Sequence, residues 1–545
     1  MPVIRTILFL VALLFACIHA ISAGPDVMPD STNLPLIVIE THGAEITDDP
    51  KIMVDMKIIA HENGWNRPGD AGNIYTGKAG IEYRGAFSQM LPQKPYGFET
   101  RDASGNNLNV SLLGMPAEND WILLANYNDK VFMRNTLAFS LFEQMGHYAP
   151  RTRLCEVIVN SEYMGIFVLT EKIKHDKGRV DIAKLDRDDN GGDSLTGGYI
   201  FAVDYYDNFN SWTSNYQAYG RQGEEVRFVY KYPEPGEITL LQKDYIRWFV
   251  NSLESHLYGN SFMDPVTGYA AYLDVDAFID YFIVGEVSRN VDAYKKSCFY
   301  HKNRNDKGGL LQAGPVWDFD WAWKNLWDNC YIWETTDGAN WAYKVNECDN
   351  WPVVPSWIER MMEDPAFRHT LHERYFSLRQ DILSDAAFTH YIDSVELLVD
   401  KAQQRHYQRW QILGEYAGAP EMDPPAGSFA GEIERFRNWI SLRLAWLDAH
   451  MPDAGDTGVE NEAGTAEAKV RLFPNPVKDL CFIESVSRIN QISILNAQGQ
   501  IVRTINTAGE YSVPLHLGGV PPGLYVARVI MDGDQMVLIK LVITR

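Results

Sequence analysis

The stretch 285-GEVSRNVDAYKKSCFYHKNRNDKGGLLQAGPVWDFDWAWKN-325 decides how the chain is read. Ser297 to Lys302 and Leu310 to Val316 have the composition of two strands. Asn303 to Gly309, dense in Asn, Asp and Gly, is the turn between them. In an antiparallel hairpin the start of the first strand lies beside the end of the second. Asp292, just before the first strand, is therefore expected next to Asp318 and Asp320, just after the second. Carboxylates gathered in this way repel one another unless a cation sits among them. Hard oxygen ligands of this kind suit Mg²⁺ or Mn²⁺, which bind through one or two carboxylates together with phosphate oxygens.

Outward from this hairpin, the regions differ in character. Upstream, LPLIVIET, KIMVDMKII, GIEYRGAF, PYGFETRD and NDWILLANY are strand-like, and LCEVIVNSEYMGIFVLTEKI forms a hairpin about Asn160-Ser161-Glu162. VFMRNTLAFSLFEQMG carries apolar residues at helical spacing and stops at Gly146. From about residue 238 helices dominate, in ITLLQKDYIRWFVNSLESHLYG, DVDAFIDYFIVGEVSRN, PSWIERMMEDPAFRHTLHERYFSLRQDIL, FTHYIDSVELLVDKAQQRHYQRW and GEIERFRNWISLRLAWLDAHM. A β-rich front and a helical rear predict an α+β domain of two lobes with a cleft, over residues 35–451, after a tail at 24–34.

Residues 452–469, PDAGDTGVENEAGTAEAK, are acidic and small, and Val459 is their one large hydrophobe. Such a segment cannot bury a core and reads as a flexible linker. Residues 470–545 then alternate short strands with Asn-Ala-Gln-Gly, Pro-Pro-Gly and Asp-Gly-Asp turns, the pattern of a small all-β sandwich. At the other end, residues 1–23 run from a short basic region through an apolar run, Thr6 to Ile21, to Ile21-Ser22-Ala23, the order of a secretory signal peptide. The run is too short for a comfortable membrane span, so no transmembrane segment is expected in the mature chain.

Composition narrows the classes further. Hydrophobic residues make up 46% and charged residues 22%, as in a folded soluble chain. A net charge of −23 repels a polyphosphate backbone, so nucleic acid is not an expected partner. The six cysteines leave five after the signal, too few for a disulfide framework. Cys330 and Cys348, flanking an aromatic segment, are placed to close one local loop. No Cys/His spacing suits zinc.

Two resemblances rest on these residues. NVDAYKKS with GPVWDFDWAWKN resembles the paired signature of CotH kinases, atypical protein kinases first associated with spore coats. YRGAFSQMLPQKPYGFE (83–99), NDWILLANYNDKVFMRN (119–135), VIVNSEYMGIFVLTEKI (157–173), GGYIFAVD (197–204) and KYPEP (231–235) follow in family order. The resemblance implies a kinase-like fold using ATP and Mg²⁺ or Mn²⁺. Asp318 would hold the metal and Asp320 share it. Asp292 would serve as the catalytic-loop Asp or a second metal ligand, supported by Asn290. Lys94 is the candidate for the ATP phosphates, with Glu171 as its ion-pair partner, and Lys172 and Arg84 compete for that role. No G-x-G-x-x-G loop is present, so the phosphates would be covered by other means. Arg134 and Asn135 are expected to fix a helix to the sheet, and Trp317, Trp321, Trp323 and Trp327 to pack.

At the C-terminus, Phe473-Pro474-Asn475-Pro476, the Gly499-Gln500 turn, Gly523-Leu524-Tyr525 and Lys540-Leu541-Val542-Ile543 resemble the type IX secretion sorting domain, an immunoglobulin-like sandwich. This implies passage through the periplasm to the outer-membrane surface or the medium, with the type IX machinery and an exported protein substrate as partners. The leading expectation is a secreted protein kinase acting on Ser, Thr or Tyr. The alternatives are a non-catalytic surface or adhesion protein, associated with polysaccharide degradation, and a glycoside hydrolase using an Asp pair.

Overall fold

The structure is a computed structural model that describes residues 27–453 and 470–544, apart from 474, 476, 479, 497–499, 533 and 534. The expected signal peptide and most of the expected linker lie outside the described residues. Two compact units are present, Met1–Asp456 and Thr457–Arg545, and the architecture is α+β with an all-β second unit.

The first unit begins with β1 (Leu36–Glu40), β2 (Ile52–Ile59), β3 (Tyr75–Tyr83), β4 (Tyr96–Arg101), β5 (Asp120–Ala125), α1 (Arg134–Gln144), β6 (Thr152–Val159) and β7 (Glu162–Glu171). The strands close into a barrel in the order β1-β2-β3-β4-β5-β7-β6, with β1 parallel to β6. Closure pairs every strand on both sides, which removes exposed edges. Alternation fills the interior: Val54, Met56 and Ile58, Ala79 and Ile81, Trp121 and Leu123, and Phe167 and Leu169 share one core. Tyr163 instead packs on the outer face of β1, against Leu36 and Val38. The β6–β7 hairpin turns on Asn160 and Ser161, both in the left-handed region at φ 49° and 64°, as a tight two-residue turn requires.

The unit continues with β8 (Tyr199–Val203), β9 (Ser211–Thr213), β10 (Arg227–Tyr232), α2 (Leu240–Leu257), α3 (Val275–Ser288), β11 (Cys298–Lys302), β12 (Leu311–Ala313), α4 (Trp357–Met361), α5 (Pro365–Arg379), α6 (Asp385–Arg409) and α7 (Phe429–His450). An antiparallel sheet runs β12-β11-β8-β10-β9. Thr239 and Gln242 form a capping box that starts α2, and Asp274 caps α3. The single helical stretch expected from residue 355 to 383 divides into α4 and α5. Asp364 caps a new helix whose first residue, Pro365, has no N–H to continue the old one. Cys330 and Cys348 are joined, closing the expected loop.

In the second unit β13 (Val470–Phe473), β14 (Leu480–Leu495), β15 (Ile501–His516), β16 (Gly523–Met531) and β17 (Gln535–Ile543) pair antiparallel, with β14 bonded to β13, β15 and β16. Cys481, Ile483, Ile492, Ile494, Leu515, Val529 and Leu541 form its core. Asn475, in the Phe-Pro-Asn-Pro motif, clamps β17: its amide donates to Lys540 O at 2.7 Å and accepts from Val542 N at 2.8 Å. Among the described residues no helix is long and apolar enough to cross a membrane.

Candidate functional site

The expected hairpin forms, with His301 opposite Gln312 and Tyr300 opposite Ala313. β12 is shorter than its sequence suggests, because Gly314 at φ 112° and then Pro315, which has no donor, take the chain out of the ladder. The two ends of the hairpin carry unusual backbone. Arg289, Tyr294, Ser297, Asp318 and Trp323 all sit in the left-handed region, at φ 40°, 68°, 51°, 59° and 50°. Non-glycine residues persist there only when surrounding bonds hold them, and such clusters favour functional sites.

Those bonds are identifiable. The Asn290 amide donates to Asp318 O at 2.8 Å, and Ser297 Oγ donates to the Asp318 carboxylate at 2.5 Å. Phe319 N donates to Asn135 Oδ1 at 2.7 Å, Arg134 Nε to Ala322 O at 2.9 Å, and Trp323 N to Ser288 O at 2.8 Å. Asn128 Nδ2 donates to Asp320 Oδ2 at 2.6 Å, while Lys324 Nζ holds the Asn128 carbonyl at 2.6 Å. The loop after β5 and the start of α1 thus grip the Asp-Phe-Asp turn. Arg134 and Asn135, expected to fix a helix to the sheet, brace this turn instead.

Asp318 and Asp320 are half-buried. Burial and then the neighbouring Asp320 push the Asp318 carboxyl up to about 7, against the Ser297 hydrogen bond and the Arg84 charge. Burial also raises Asp320, opposed by the Asn128 hydrogen bond and Lys324, with Asp292 adding to the rise. Asp292 pairs with Lys296 at 3.3 Å. The three carboxylates are electrostatic neighbours, but they do not close into a cage. Among the described residues no three acidic, His or Cys side chains are arranged to hold an ion. The physical reason is that each already has a different partner: Lys296, Ser297 and Asn128. Asp318 and Asp320 supply the hard carboxylate oxygens of this turn, the donor type a divalent cation of the Mg²⁺ kind takes.

The four residues expected on the phosphate side separate. Arg84 lies over the Trp317 ring at 5.5 Å and its charge reaches Asp318. Lys94 is close by, since Arg84 N donates to Pro95 O at 3.2 Å, but its ammonium is bonded to the Gln89 carbonyl and lies 5.3 Å over Tyr83. The expected Lys94–Glu171 ion pair does not form. In the barrel register Phe98 pairs with Trp121 and Trp121 with Glu171, which sets Glu171 further along the barrel than Lys94. Glu171 is fully buried and taken by Arg151 at 2.9 and 3.1 Å and by Tyr148 at 3.2 Å. Lys172 points to Asp120 at 3.9 Å. Arg84 and Lys94 therefore share one part of the barrel, and Glu171 and Lys172 another.

Three residues of the site carried no expected role: Asn128, Ser297 and Asp204, whose charge also reaches Asp318. Each lies within a stretch already conspicuous, NYND, YKKS and FAVD. Their contacts, at sequence separations of 192 and 21 for the first two, become visible only in the fold. Of the tryptophans expected to pack, Trp317 stacks on Phe139 at 5.6 Å and Trp323 is buried, whereas Trp327 is exposed.

A β-barrel, an antiparallel sheet backed by helices, a strained acidic turn after a hairpin and an all-β tail together define an α+β protein with a preorganised carboxylate site and a separate C-terminal module. Residues 81–447 match the family described as CotH kinase protein, and the chain belongs to that family. Residues 471–544 match the secretion system C-terminal sorting domain. This tail marks the chain for export to the cell surface by type IX secretion. No curated protein matches the chain.

Proposed function

We propose that the chain is a secreted atypical protein kinase that transfers the γ-phosphoryl group of ATP to Ser, Thr or Tyr of exported proteins. The observation that carries this reading is the turn at Asp318 and Asp320, two half-buried carboxylates both raised by burial, Asp318 further by Asp320 and Asp320 further by Asp292, with no basic side chain within 4.0 Å of either among the described residues. A folded protein retains such a pair at a cost unless a cation completes it.

In this reading Asp318 and Asp320 hold Mg²⁺ or Mn²⁺, which when bound neutralises charge on the phosphoryl oxygens. Ser297 and Asn128 orient the two carboxylates, and Asn290 fixes the turn from the neighbouring loop. Asp292 receives the proton of the acceptor hydroxyl, and its ion pair with Lys296 at 3.3 Å holds the carboxylate in place. Arg84 contacts phosphate, with Lys94 next to it. Residues 84–90 take the place of a Gly-rich loop, supported by the edge-on contact of Phe87 with Trp321 at 5.5 Å. The barrel and the sheet-and-helix region correspond to the two kinase lobes. The tail is read as an immunoglobulin-like sandwich, supported by β14 pairing β13 through its first half and β16 through its second.

A second reading, a surface scaffold without catalysis, is favoured by one observation: the three aspartates do not form a closed metal cage. Calorimetric titration of the full chain with ATP separates the two. The kinase reading expects binding that needs Mg²⁺ or Mn²⁺ and is lost in Asp318→Ala. Absence of nucleotide binding with either cation would leave the scaffold.

A further inference from the structure

The sheet has a second polar feature at the edge opposite β12. Between β9, β10 and α2 opens a cleft of about 380 Å³, in the range of small-molecule sites. Its floor is Glu254, 1% exposed, whose carboxyl oxygens accept from Ser214 Oγ at 2.6 Å and Trp357 Nε1 at 3.0 Å. Burial pushes this carboxyl up to about 7, so it is a weak counter-ion, and it forms no ion pair with either arginine in the cleft.

The walls carry hydrogen-bonding groups the protein itself does not use. Arg247 donates from Nε to the Tyr230 hydroxyl at 2.7 Å, and its two terminal nitrogens have no protein partner among the described residues. Arg227 spends its terminal nitrogens on Glu225 and Asn208, at 3.0 and 3.1 Å, yet its Nε is buried and unpartnered. Asn215 Nδ2 donates to Asn251 Oδ1 at 2.6 Å, leaving one donor amide and one acceptor carbonyl of that pair open. Of these groups only Arg227 Nε is a buried donor, and buried donors are nearly always satisfied, by protein, solvent or ligand, whereas Arg247 and Asn215 are exposed and free to meet a ligand from solvent.

We infer that this cleft binds a small hydroxylated molecule carrying one oxyanion, of the acidic-sugar class, with the Arg247 fork on the oxyanion and the Asn215–Asn251 pair on hydroxyl groups. The planar guanidinium matches carboxylate and phosphate alike in two parallel hydrogen bonds. The paired amide offers the alternating donor and acceptor that vicinal hydroxyls need. The site is independent of the acidic turn, which lies at the ends of β11 and β12.

The test is calorimetric or saturation-transfer titration of the full chain with glucuronate, glucose 6-phosphate and glucose. Saturable 1:1 binding of either anionic sugar, at least tenfold tighter than glucose, is expected. Which of the two binds identifies the oxyanion. Arg247→Gln should weaken that binding at least tenfold with an unchanged melting temperature, because Arg247 is exposed, and Asp318→Ala should leave it intact. Failure of both anionic sugars to bind, equal binding of glucose, or indifference to Arg247→Gln would each overturn the assignment.

Discussion

Two acidic sites in the same unit are built in opposite ways. Glu286 is fully buried and fully answered: Arg443 at 3.0 Å, the Tyr294 hydroxyl at 3.1 Å, and the N–H groups of Ala342 and Tyr343 at 2.9 and 2.8 Å. Asp318 and Asp320 are only half-buried, lie beside each other, and receive a hydroxyl and an amide but no cation. The first is a brace joining α3, α7 and the disulfide-closed loop. The second is an incomplete electrostatic arrangement held in place by strained backbone, the condition expected of a site that awaits something from outside.

The contrast breaks most visibly under substitution. Arg443→Met strands a buried carboxylate and should cost about 3–5 kcal/mol, whereas Asp318→Asn relieves repulsion and should change stability by less than about 1 kcal/mol. Urea unfolding of both variants checks this, and equal destabilisation would erase the distinction. Reduction of Cys330–Cys348, which closes a loop with a sequence separation of 18 residues and steadies the Ala342 and Tyr343 donors, should cost about 3 kcal/mol. A lowered melting temperature in dithiothreitol is the readout.

His406 sharpens the picture of what burial alone does. It is completely buried, accepts from Ile166 N at 3.1 Å, and burial pushes its imidazole down to about 3. The native state refuses a proton that the unfolded chain accepts below about 6.5. Stability is therefore undiminished above that pH and falls as pH drops toward 3, by about 2 kcal/mol at pH 5 from this residue. Melting temperatures of His406→Gln should lose that part of the acid slope. A modest effect is expected of Asn128→Ala, which removes the donor to Asp320 and should lower stability by about 1 kcal/mol while, in the kinase reading, reducing cation-dependent nucleotide affinity; urea unfolding and calorimetric titration check the two.

The hairpin was legible in sequence because its turn residues and flanking strands are local, and that locality alone brought Asp292 toward Asp318 and Asp320. What escaped depends on distant pairing. No short stretch announces that β1 lies parallel to β6, so the closed barrel was hidden inside a general β-rich front. Lys94 and Glu171 looked like an ion pair until the β4–β5–β7 register set them at different heights along the barrel. Asn128 reaches Asp320 across 192 residues. Even the break before α5 rested on a cap, Asp364, and a proline that a helical periodicity passes over.

The central claim is that the acidic turn works as a phosphoryl-transfer site. It is tested most directly by incubating the full chain with ATP labelled at the γ-phosphate and Mg²⁺ or Mn²⁺, beside Asp292→Ala and Asp318→Ala, and measuring label on exported acceptor proteins. The account predicts cation-dependent incorporation that falls at least about 100-fold in both variants; equal incorporation in the variants, or none in the unaltered chain with any acceptor and either cation, would contradict it.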